Sequence, residues 1–127
     1  MPKILIADDD FILRELYKIR LMHAGFVVHE AIDGPQVVEM VEKVHPDVVL
    51  LDIMMPRMNG LDALKLIKSN PATKEIPVII LTALMQDFRN SHSAISLAND
   101  YILKSDVMPG QVIERIEILM NAKEKER

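Results

Sequence analysis

Residues 47–53 read Asp-Val-Val-Leu-Leu-Asp-Ile, and the fold turns on how the run Val48, Val49, Leu50, Leu51 is interpreted. The run is too short for a helix and does not alternate apolar with polar. A strand that is apolar on both faces must be covered on both faces, which is the pattern of a parallel sheet between two helical layers. Three other runs share this character: residues 3–7 (Lys-Ile-Leu-Ile-Ala), 77–81 (Pro-Val-Ile-Ile-Leu) and 100–103. A further run at 26–30, Phe-Val-Val-His-Glu, is more mixed and suits a sheet edge.

Between the runs lie apolar steps of three or four residues, the helical period. They are Ile12, Leu16, Ile19; Val37, Val41, Val44; Leu61, Leu64, Ile67; and Val112, Ile116, Leu119. The punctuation agrees with these helices: Gly25 ends the first, Pro35 falls in the first turn of the second, Pro46 stops it, and Asn70-Pro71 closes the third. Residues 87–98 form a poorer helix, with three serines and an asparagine. Its low propensity suits a marginal surface helix or, alternatively, an element kept loosely docked so that it can shift. The expected architecture is an α/β, doubly wound, five-stranded parallel sheet, a three-layer (βα)5 sandwich; these runs do not fix the strand order, for which we take 2-1-3-4-5.

With 127 residues, half of them apolar and 27% charged, the chain is sized for one folded domain. We expect that domain at 1–122, followed by a charged tail at 123–127. The net charge of −4, with basic residues spread along the chain, disfavours nucleic-acid binding by a basic face. There is no cysteine, and His23, His29, His45 and His92 lack ligand spacing, so any metal must be held by oxygen. No basic-then-apolar leader opens the chain and no apolar run nears the ~20 residues of a membrane span, so a cytoplasmic, membrane-free protein is expected.

In a right-handed βαβ sheet all strands run one way, so the residues just past their ends collect along one edge, where ligands bind. Those ends carry Asp8, Asp9 and Asp10, then Asp52, Thr82 and Lys104. In the order 2-1-3-4-5, Asp52 is central, the aspartates and Thr82 lie one ~4.8 Å strand spacing to either side, and the long stem of Lys104 reaches back over the centre. Clustered carboxylates repel unless a cation neutralises them, and hard oxygen ligands suit Mg²⁺. Beside Mg²⁺ and Lys104, a carboxylate can attack phosphorus because the cations offset charge on the transferring oxygens. One aspartate at a strand end ordinarily caps a helix or shapes a turn. Four polar ends in succession are not explained that way.

These residues resemble the receiver domain of two-component response regulators, which has a flavodoxin-like sheet. The resemblance covers nearly the whole chain and rests on Ile4-Leu5-Ile6-Ala7-Asp8-Asp9-Asp10, on Val49 to Gly60, on Ile79-Ile80-Leu81-Thr82-Ala83 and on Asp100-Tyr101-Ile102-Leu103-Lys104. It implies that Asp52 is the phosphoacceptor and that Asp8 and Asp9 are the acidic pair. It also implies that Asp9, Asp52 and the Met54 backbone carbonyl ligate Mg²⁺, with Thr82 and Lys104 contacting the phosphoryl group. Tyr101 would be the aromatic that turns inward when Thr82 moves. Asp10 falls outside these roles and is read as the N-cap of the first helix. Pro56 with Asn59-Gly60 would shape the turn beneath Asp52, the glycine allowing either an unusual backbone angle or a close approach.

The implied partners are a histidine kinase or histidine phosphotransferase and a downstream protein, with the chain monomeric or dimerising on phosphorylation. Output would pass through the face made by the helix at 87–98, the fifth strand and the last helix. The sequence departs from the family in having Ser105 where proline usually follows the lysine, and Leu97 where a small residue is frequent. Met54 and Leu84, two residues past Asp52 and Thr82, are expected to hinder an in-line water and prolong the phosphoryl lifetime. Methionines 54, 55, 58, 85 and 108 near this edge read as gap-fillers. Two rival functions are a haloacid-dehalogenase-type phosphatase with Asp8 as nucleophile and a receiver-like docking module that takes no phosphate. Acetyl phosphate with Mg²⁺ separates them: Asp52, Asp8 or no residue is labelled.

Overall fold

The computed structural model describes residues 1–83, 96–104 and 107–125, with side chains through residue 121. Its elements in chain order are β1 (Lys3–Ala7), α1 (Phe11–His23), β2 (Val27–Ala31), α2 (Gly34–Val44), β3 (Val48–Leu51), α3 (Gly60–Ser69), β4 (Val78–Thr82), β5 (Asp100–Leu103) and α4 (Pro109–Lys125). The five strands form one parallel sheet in the expected order β2-β1-β3-β4-β5.

Successive strand residues face opposite sides, so the central strands β1, β3 and β4 each feed two cores. Leu5, Val49, Leu51, Val78 and Ile80 pack with Val37 and Val41 of α2 and Leu61, Leu64 and Ile67 of α3. Ile4, Ile6, Val48, Leu50, Ile79, Leu81 and Ile102 pack with Tyr17 and Leu21 of α1 and Val112 and Ile116 of α4. β2 and β5 are the two edges, each with one buried residue; the run at 100–103, expected to be apolar on both faces, is covered on one, with Ile102 buried and Tyr101 exposed.

The expected boundaries are met by identifiable caps. Asp10 accepts a hydrogen bond from the Leu13 N–H and Asp33 one from the Gln36 N–H, with Pro35 in the first turn of α2. Gly25 follows α1 with φ +96°, and Phe26 N–H donates back to the Leu21 carbonyl at 3.0 Å. His45 ends α2 in the left-handed region at φ 50°, just before Pro46.

The buried face of α1 differs from the sequence expectation. Ile12 and Ile19 are 79% and 63% exposed, Leu16 is exposed too, and the stripe that meets the sheet is Leu13, Tyr17, Leu21. Both stripes have helical spacing and both are apolar, so periodicity could not choose between them. The helix expected at 87–98 lies outside the described residues up to residue 95, as do Leu84, Met85, Ser105 and the tail residues 126 and 127.

Candidate phosphoryl-acceptor site

The ladder between β1 and β3 pairs Ala7 with Leu51 and continues one step further, where the Asp52 N–H donates to the Ala7 carbonyl at 2.9 Å. Asp8 and Asp52 are therefore neighbours at the carboxyl ends of adjacent strands, beside the point where strand order reverses. Ligand oxygens of Asp8, Asp9 and Asp52 lie within 4.8 Å of one another; Asp8 and Asp52 are buried and Asp9 is exposed.

Lys104, immediately after β5, reaches across β4. Its Nζ is 2.7 Å from Asp8 Oδ2 and 3.4 Å from Asp52 Oδ2. Asp8 is firmly held, since its Oδ1 also accepts the Asp10 N–H at 2.9 Å. Asp52 is held loosely, with 3.4 Å contacts to Lys104 and to the Met54 N–H.

Burial is the main reason the Asp52 carboxyl is pushed up from 3.8 to about 6; the Lys104 charge pulls it down and the Asp8 charge pushes it further up. Burial pulls the Lys104 ammonium down, but the hydrogen bond to Asp8 and the charges of Asp52 and Asp8 outweigh it, and the net change is upward.

The other expected site residues fall as follows. Thr82 is the last residue of β4, fully buried, and pairs with Leu103 of β5. Met54, 54% exposed, flanks Asp52. Tyr101 on β5 is 58% exposed in this state.

The segment after Asp52 is clamped. A Cβ placed on Gly60 would lie 2.1 Å from the Asp52 carbonyl oxygen, and one on Gly34 would lie 2.4 Å from the Met58 Cβ and carbonyl oxygen. The Gly60 N–H donates to the Ile53 carbonyl at 2.7 Å. Close approach, rather than an unusual backbone angle, is thus what Gly60 supplies. Arg57, between the two glycines, adopts φ 71°, a region side chains rarely occupy.

Sequence reading missed two residues. Arg14 Nε donates to Glu30 Oε1 at 2.9 Å, its Nη1 donates to the Asp8 carbonyl at 3.0 Å, and its guanidinium lies over the Phe11 ring at 5.6 Å. Tyr17 sits beneath the acidic corner, lining a small cavity with Asp8 and Asp52. Neither belongs to a strand-end motif; the only available signal was the second apolar stripe of α1.

The fold and this constellation define a phosphoryl-handling α/β signalling domain. The response regulator receiver domain family matches residues 4–117, and the chain belongs to that family. It is 36% identical over 104 residues to the DNA-binding dual master transcriptional regulator RpaA of a Synechocystis species, covering 82% of this chain and 43% of RpaA. It is 32% identical over 124 residues to the DNA-binding response regulator MtrA of Mycobacterium tuberculosis, covering 98% of this chain and 53% of MtrA. The chain thus spans about half the length of these relatives. Among solved structures it resembles the response regulator TrrA of Thermotoga maritima in complex with Mg²⁺-BeF, with a TM-score of 0.84 and 29% identity over 94% of this chain and 99% of that one. Among the described residues, no helix is long and apolar enough to cross a membrane.

Proposed function

We propose that Asp52 is the phosphoacceptor of this receiver domain, taking a phosphoryl group from a histidine kinase or histidine phosphotransferase. The observation that carries this reading is a buried, loosely bonded carboxylate facing an ammonium at 3.4 Å and two further carboxylates. In the transfer, an Asp52 carboxylate oxygen forms a bond to phosphorus as the bond from phosphorus to the donor imidazole nitrogen breaks, and the imidazole regains its proton from solvent. Lys104 exchanges its contact with Asp8 for the incoming phosphoryl oxygens. Thr82 donates its hydroxyl to one of them, and Tyr101 moves inward as Thr82 shifts.

The donor set is all oxygen, which fits a hard divalent cation. Asp9 and Asp52, with the Met54 carbonyl, would hold Mg²⁺, and Asp8 would complete the acidic corner. Bound there, Mg²⁺ supplies charge neutralisation for the transferring oxygens.

The receiver unit is read as residues 1–122 with a charged tail at 123–127. It acts as a signalling domain rather than a turnover enzyme, in the cytoplasm, and passes its state to a protein partner or a domain beyond this chain, as monomer or phosphorylation-dependent dimer. Incubation with acetyl phosphate and Mg²⁺, followed by peptide mapping, tests the reading. Label at Asp52 that disappears in Asp52→Asn supports it. Label at Asp8 favours the phosphatase reading, and no label favours the docking module.

A further inference from the structure

Tyr17 is the one buried phenol at the acidic corner. It is 4% exposed, lies on the α1 face packed against β1 and β3, and among the described residues its hydroxyl has no hydrogen-bond partner. A buried hydroxyl without a partner costs free energy that native structures rarely leave unrelieved. The hydroxyl's surroundings offer the relief. A cavity of about 10 Å³ lies against Tyr17; its surface is mostly apolar, and Asp8, Arg14 and Asp52 share the lining. That is room for about one water, and Tyr17, Asp8 and Asp52 are the residues of the lining that could bond it.

The wall is itself fixed. Arg14 is tied to Glu30 and to the Asp8 carbonyl, and the two Asp8 carboxylate oxygens accept from the Asp10 N–H and from Lys104, each with lone-pair capacity left for one more donor. The phenol also lies within electrostatic reach of Lys104 and Asp8.

We propose that Tyr17 is a positioning residue: its hydroxyl, through a single water in this cavity, braces the Asp8 carboxylate from beneath and so keeps the Asp8–Lys104 pair aligned on Asp52. The proposal rests on the reading of Asp52 as phosphoacceptor. Lys104 must leave Asp8 when a phosphoryl group arrives, and Asp8 then loses its 2.7 Å donor. A second donor chain from Tyr17 keeps the Asp8 oxygen satisfied during that exchange.

The test compares Tyr17→Phe, which keeps the ring and deletes the hydroxyl, with Tyr17→Leu, which removes both. Losing one water-mediated hydrogen bond in the transfer is expected to slow phosphoryl uptake from acetyl phosphate by about three- to tenfold in Tyr17→Phe, with little change in unfolding midpoint. Tyr17→Leu should lose stability as well. A high-resolution crystal structure of the parent should show a water hydrogen-bonded to Tyr17 Oη and Asp8, absent from Tyr17→Phe. A parent cavity without water, or Tyr17→Phe uptake within twofold of the parent, overturns the proposal. If the parent takes up no phosphoryl group at all, the function fails first, and the crystallographic arm alone then decides the role of Tyr17.

Because the chain has two tyrosines and no tryptophan, Tyr101→Phe leaves Tyr17 as sole reporter. Its near-ultraviolet absorption should then shift when Mg²⁺ is added. An unmoved spectrum counts against a hydroxyl coupled to the acidic corner.

Discussion

Replacing Asp52 with asparagine should stabilise the metal-free protein. In the folded chain, burial pushes the Asp52 carboxyl up from 3.8 to about 6, whereas in the unfolded chain it sits near its ordinary value. Between about pH 4 and pH 6 the folded state therefore keeps a proton that the unfolded state has released. Stability from this group is full below about pH 4 and is lost as pH rises through about 6. Above that window, holding Asp52 ionised costs about 3 kcal/mol, as an order of magnitude. Asparagine has nearly the same shape and no charge, so it removes the cost, while Lys104 keeps its 2.7 Å bond to Asp8.

The assay is urea unfolding followed by circular dichroism, in chelator, at pH 4 and pH 7.5. We expect Asp52→Asn to exceed the parent by up to about 3 kcal/mol at pH 7.5 and by little at pH 4. Adding Mg²⁺ at about 100 times its dissociation constant should raise the parent by about 2.7 kcal/mol and the variant by much less. A variant no more stable than the parent in chelator at pH 7.5, or equally stabilised by Mg²⁺, would refute the electrostatic reasoning.

Lys104→Met leaves Asp8 and Asp52 facing each other without a cation. It should cost about 3–5 kcal/mol near pH 8, less near pH 5 where protonation relieves the repulsion, as read by unfolding midpoints. Gly60→Ala drives a methyl group into the Asp52 carbonyl; a loss of about 1–3 kcal/mol and slower phosphoryl uptake are expected, and an unchanged midpoint would contradict the contact. His45→Gly relieves the left-handed backbone at the end of α2 and should gain about 0.5–1 kcal/mol in the same assay. Met54→Asn should hasten loss of phosphoryl label from Asp52, since this half-exposed residue lies two positions past the acceptor and its N–H faces that carboxylate; an equal half-life would remove Met54 as a shield.

Much of this molecule is legible in its residues because a two-sided strand leaves an unmistakable mark. The runs at Val48–Leu51 and Val78–Leu81 admit no polar side chain, so both faces had to be covered, and the strand-end polar residues followed from the geometry of a parallel sheet. The orientation of α1 was not legible, because Ile12, Leu16, Ile19 and Leu13, Tyr17, Leu21 are equally regular, and which stripe meets β1 and β3 is settled only by packing. Arg14 and Tyr17 were hidden for the same reason. A residue on the wrong side of a helical wheel is read as surface until the wheel is turned. Gly60 was half legible: the glycine was visible in sequence, but its clearance against the Asp52 peptide is a tertiary fact.

The two glycine clamps bear on how a signal could leave the acceptor. Gly34 of α2 leaves no room for an added carbon against Met58, and Gly60 of α3 none against the Asp52–Ile53 peptide. Rearrangement on that flank would have to lift a whole helix. On the opposite flank Lys104 spans from the end of β5 to Asp8, a tether that one side-chain swing can release. Strain introduced at Asp52 should therefore travel away from the jammed flank and toward β4 and β5, giving the domain a preferred direction of response set by two missing side chains.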